Sequence, residues 1–110
     1  MKLNLKNKNV LVVGLARSGV SAVKLLLREG AKITVTDTAG KDRLADAISL
    51  LKGLNISYEL GSHNLETFLK SDLIIISPGV PYKSEYLLKA KENGTPVISE
   101  IELAYNHLKA

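Results

Sequence analysis

Short apolar runs rich in β-branched residues recur along the chain at residues 10–13, 33–36, 56–60, 73–76 and 97–98. Runs of this length predict strands. Between them the apolar positions change to helical spacing: Val20, Val23, Leu26 and Leu27; then Leu44, Ile48 and Leu51; then Leu65, Phe68 and Leu69; then Leu87 and Leu88 with Lys91. Gly30, Gly53 and Gly94 fall where three of these helices should stop, as glycines past a helix C-terminus do. Residues 100–110 read as one more helix. Strands that alternate with helices favour parallel neighbours, because a parallel pair needs a crossover connection. The pattern therefore predicts one α/β domain: a doubly wound parallel sheet of about five strands with helices on both faces, for which the Rossmann-like order 3-2-1-4-5 is taken.

In such a sheet the loop after the first strand is the first place to look for chemistry. Here it reads Gly14-Leu15-Ala16-Arg17-Ser18-Gly19. It fits the Rossmann fingerprint G-x-G-x-x-G except that Ala16 stands at the middle glycine. Gly14 permits a tight turn, Gly19 permits close helix packing, and the amides near Arg17 and Ser18 would face an anion from a helix N-terminus. A methyl group at Ala16 hinders the close backbone approach that a dinucleotide pyrophosphate needs, which counts against NAD. The competing explanation is that any strand-to-helix turn needs glycines for its geometry.

Asp37 ends the second strand, where Rossmann domains place an acid that hydrogen-bonds the nucleoside. It could equally cap the following turn. Thr38 beside it has an amide and a hydroxyl to offer a base. Ser77-Pro78-Gly79-Val80-Pro81 follows the fourth strand, so the predicted strand order puts it across the switch-point crevice from the Gly14 turn. Pro-Gly is also a plain turn signal. Other signals fail. Gly40-Lys41 is not a phosphate-binding P-loop, since Val35 and Asp42 occupy its defining positions. His63 and His107 sit in no metal-ligand spacing and are expected at the surface. Glu100 and Glu102 are two apart and do not share a helix face, which argues against a paired acid and base.

Composition narrows the class. At 110 residues and 45% hydrophobic, the chain is long enough for one core and too short for two. The net charge of +4 comes from scattered Lys and Arg, with four Tyr and one Phe, so nucleic acid is not the expected partner. With no cysteine, thiolate metal sites and disulfides are out. No apolar run approaches a bilayer span, so a cytoplasmic, non-membrane protein is expected.

Taken together, the run from Val10 through Gly19, Asp37, the Ser77-Pro-Gly-Val-Pro81 loop and Glu100-Ile-Glu-Leu-Ala104 resemble the N-terminal domain of the D-glutamate-adding Mur ligases, over nearly the whole chain. The resemblance implies a domain that holds the UDP part of UDP-N-acetylmuramoyl-L-alanine, within a monomeric ligase of peptidoglycan precursor synthesis. Gly14, Ala16, Arg17, Ser18 and Gly19 would then meet the diphosphate, Asp37 and Thr38 the uracil, and Ser77 and Gly79 the substrate further along. Members of that family tolerate alanine at the Ala16 position. Ala39 is small where some relatives carry a longer basic side chain, so stacking on uracil from that position is not expected. ATP, magnesium and D-glutamate would belong to two further domains, and residues 1–110 alone would not catalyse the ligation. The rival expectations are an NAD-binding Rossmann regulatory domain and a purely structural domain.

Overall fold

A computed structural model describes residues 4–15, 17–77 and 84–108. Five parallel strands, β1 (Asn9–Val13), β2 (Lys32–Asp37), β3 (Ile56–Leu60), β4 (Leu73–Ile76) and β5 (Val97–Ser99), form one sheet in the order β3-β2-β1-β4-β5. This is the predicted order. The helices are α1 (Arg17–Arg28), α2 (Ala45–Leu50), α3 (Leu65–Lys70), α4 (Glu85–Glu92) and α5 (Glu100–Leu108). Gly30, Gly53 and Gly94 follow α1, α2 and α4 with positive φ.

Alternation along the central strands divides the core in two. On β1, Val10 and Val12 face Val20, Val23 and Leu26 of α1, together with Leu51 and Leu103. Leu11 and Val13 face the other way, onto Phe68 of α3 and Leu87 and Ala90 of α4. Because β1 and β4 are covered on both faces, they read in sequence as unbroken apolar runs rather than as alternation. Edge strand β3 is only partly buried. The strand order reverses between β1 and β4, whose registered pair Val13↔Ile76 leads directly into the Gly14 turn and Ser77. Both candidate loops thus leave the carboxyl edge of the sheet as neighbours.

Helix α5 begins with a pair of reciprocal hydrogen bonds. The Ser99 amide donates to Glu102 Oε1 at 3.2 Å, and the Glu102 amide donates to Ser99 Oγ at 3.1 Å. This is the reciprocal capping box of an S-x-x-E segment. It turns Glu102 back to the helix start and leaves Glu100 to point elsewhere.

Candidate functional site

Gly14 adopts φ 92°, a left-handed conformation that side chains with a Cβ rarely tolerate. Its amide donates to Thr36 O at 2.8 Å, which fastens the turn to the end of β2. Gly19 lies in the first turns of α1, where an added Cβ would stand 2.8 Å from Gly14 O. The two glycines therefore do separate things: one allows the turn, the other lets α1 start tight against it. Arg17 and Ser18 open α1, which places their amides at its N-terminus; their side chains, all of Ala16, and the segment 78–83 with Gly79 lie outside the described residues.

Asp37 is the joint between loops. Oδ2 accepts the Leu15 amide and Oδ1 accepts the Ala39 amide, both at 2.8 Å. One carboxylate thus clamps the Gly14 turn to the loop after β2. The turn-capping reading of Asp37 holds, and each carboxylate oxygen keeps a second lone pair beyond these amides. Thr38 is exposed beside it. The loop after β3 is tied to the same place, with the Gly61 amide donating to Asp37 O at 2.9 Å.

Ser77 is 4% exposed, and its hydroxyl turns into the fold. It lies 2.8 Å from Gly14 O and 2.8 Å from Glu100 Oε2. Its single proton serves the seam between the β1 and β4 loops. Glu100 itself is 8% exposed, and its Oε1 is buried without a hydrogen-bond partner among the described residues. Spacing alone set Glu100 aside; its place beneath the Gly14 turn comes from the short β5, which aims the first residue of α5 inward.

The clearest departure from the sequence reading is His63, expected at the surface and found partly buried. Its Nδ1 lies 2.7 Å from Thr36 Oγ1. The ring stands edge-on to Phe68 and Tyr86, with centroids 5.5 and 5.4 Å away. Its partners come from β2, α3 and α4, so no local pattern announces the site. Burial lowers the imidazole pKa below the ordinary value of 6.5, against the opposing pull of Asp37 and Glu59. A base with a lowered folded-state value binds its proton less readily folded than unfolded. Its stability contribution is therefore present above the ordinary histidine range and declines as pH falls through it. Denaturant midpoints should drop between pH 7.5 and 5.5, and His63→Asn should reduce that drop.

A cavity of about 430 Å³ opens elsewhere, between α2 and β3, against Ile48, Leu51, Leu54 and Tyr58. Gly14, Asp37 and Ser77 do not line it.

Residues 8–99 match the family model described as Mur ligase MurD-like, N-terminal domain. The chain belongs to this family. It is 50% identical over 108 residues to the UDP-N-acetylmuramoylalanine–D-glutamate ligase of Geotalea daltonii, covering 98% of this chain and 24% of that protein. The chain thus spans about a quarter of the length of such relatives. A pseudomurein peptide ligase type C from Methanothermus fervidus superposes with TM-score 0.68 at 27% identity, over 89% of this chain and 20% of that one. UDP-N-acetylmuramate-alanine ligase from Thermotoga maritima shares the fold, with TM-score 0.70 at 22% identity over 94% of this chain and 23% of the other. Within the Mur ligase N-terminal domain, then, the Gly14 turn, Asp37 and Ser77 form one hydrogen-bonded edge.

Proposed function

We propose that this domain binds the uridine diphosphate part of UDP-N-acetylmuramoyl-L-alanine, as the first domain of a cytoplasmic, monomeric ligase that adds D-glutamate in peptidoglycan precursor synthesis. The observation that carries the reading is the Asp37 clamp. A single carboxylate at the end of β2 holds the amides of Leu15 and Ala39, so the diphosphate loop and the nucleoside loop are fixed relative to each other. The diphosphate lies at the N-terminus of α1, where the first amides and the helix dipole favour negative charge. The base lies against Asp37 and Thr38, and Gly79 meets the substrate beyond the diphosphate.

Ser77 acts from within, its one hydroxyl proton shared between Gly14 O and Glu100 Oε2 at the seam of the two loops. ATP, magnesium and D-glutamate are assigned to the remainder of the ligase. The described residues of this chain bring no three His, Asp or Glu side chains together for a metal. The chemistry of this domain is binding and orientation: it fixes one end of the substrate so that the reacting carboxyl group is presented to other parts of the enzyme.

Amide NMR titration of the chain with UDP, UDP-N-acetylmuramoyl-L-alanine and NAD tests the proposal. Shifts at Gly14 to Gly19, Asp37 and Thr38 are expected with both uridine ligands and not with NAD. Asp37→Ala should weaken UDP binding about tenfold or more, equivalent to about 1.4 kcal/mol. It should also cost about 1–3 kcal/mol of stability, because the Leu15 and Ala39 amides lose their acceptor. A preference for NAD, or unchanged UDP affinity in a folded Asp37→Ala chain, would overturn the assignment.

A further inference from the structure

Resting on the nucleoside reading of the β2 edge, we infer that His63 is a further specificity residue, which presents a neutral Nε2–H donor to a carbonyl oxygen of the bound nucleobase. The argument starts with a proton inventory. Thr36 is fully buried, and the only hydrogen-bond partner of its hydroxyl among the described residues is His63 Nδ1, at 2.7 Å. A buried hydroxyl without an acceptor is costly, so the Thr36 proton points at Nδ1 and makes that nitrogen the acceptor. The ring's own proton then resides on Nε2. Protonating Nδ1 would strand the Thr36 hydroxyl proton, which acts in the same direction as the burial that lowers the imidazole pKa.

Position supplies the second half. Thr36 directly precedes Asp37, and its carbonyl accepts the Gly14 amide. The loop that carries His63 is fastened to Asp37 O through the Gly61 amide. The ring is held by three contacts, to Thr36, Phe68 and Tyr86, while Nε2 has no hydrogen-bond partner among the described residues and the residue keeps part of its surface open. A donor fixed in tautomer and orientation, anchored on the residue that precedes the nucleoside acid, suits the carbonyl oxygens of a pyrimidine such as uracil. Inorganic pyrophosphate carries the anionic oxygens of UDP but no nucleobase, so it serves as the comparison ligand.

The test compares UDP with inorganic pyrophosphate on the native chain and on His63→Phe, His63→Gln and the double variant Thr36→Val/His63→Phe. The double variant removes both hydrogen-bonding partners together, so it stays folded even where the single Phe variant leaves Thr36 unpaired. UDP affinity should fall about tenfold in both Phe variants and less in His63→Gln, with pyrophosphate affinity unchanged. Long-range ¹⁵N–¹H spectra of the native chain should show the proton on Nε2, and that resonance should move with UDP and stay still with pyrophosphate. Full UDP affinity in the folded double variant, or a proton on Nδ1, would overturn the role of His63 while leaving the uridine diphosphate proposal standing. A native chain that binds pyrophosphate but gains nothing from the uridine of UDP would overturn both.

Discussion

Phe68→Ala is expected to cost about 3–5 kcal/mol of folding stability, the range for truncating a buried aromatic ring. Phe68 is 1% exposed and plugs the α3/α4 face of the sheet, against Leu11, Val13, Ile74, Ile76, Leu87 and Ala90. The helix that carries it has six residues, so α3 is held to the sheet by this one side chain more than by its own backbone bonds. Against a typical total of about 5–15 kcal/mol for a domain, the loss lowers the thermal midpoint by about 10–20 °C. The ring also forms one wall for His63, at 5.5 Å, and packs on Tyr86 at 5.3 Å. Removing it should therefore loosen His63 as well, with the imidazole pKa returning towards its ordinary value as water reaches the ring. Calorimetry measures the first effect and the His63 ring resonances the second; a variant within 1 kcal/mol of the native chain would mean that α3 packs through other contacts.

The fold was legible because its strongest signals are local. Residues 73–76 are an uninterrupted apolar run that only a strand buried on both faces requires, and Val20, Val23 and Leu26 repeat at the period of the face that α1 does bury. The strand order is the one taken for a doubly wound sheet of this kind, and the structure has it. What could not be read were contacts that fold together distant positions. His63 looked like a surface histidine because Thr36 is 27 residues away and Tyr86 lies on α4, beyond α3 and β4. Ser77 was read as facing substrate, yet the direction of a hydroxyl at a strand end depends on which acceptors the tertiary structure puts nearby. These turned out to be Gly14 O and Glu100 Oε2. Glu100 and Glu102 are the instructive pair. Their spacing correctly separated them onto different faces, but the capping box that explains Glu102 needed Ser99 to be read as a helix start, and the burial of Glu100 followed from that start.

Gly19→Ala is the substitution expected to damage fold and site together. The new Cβ would stand 2.8 Å from Gly14 O, closer than such atoms pack, and that oxygen is not free to withdraw. Gly14 is held from one side by the hydrogen bond its amide donates to Thr36 O, and its carbonyl shares the Ser77 hydroxyl with Glu100 Oε2 on the other. Helix α1 must move instead, and it carries Val20, Val23 and Leu26 into the core. Overpacking of this kind costs about 1–3 kcal/mol. The same displacement draws the first amides of α1 away from the proposed diphosphate position, so UDP affinity should fall more than tenfold, a loss of over about 1.4 kcal/mol in binding. Gly40→Ala is the control, since a Cβ there meets nothing within 4 Å. It should leave UDP affinity unchanged and stability equal or slightly raised through a stiffer unfolded chain. Comparing the two by denaturant unfolding and UDP titration separates a glycine needed for close approach from one that only joins a loop. Equal behaviour would mean that α1 shifts without cost and that its tight start does not set the diphosphate site.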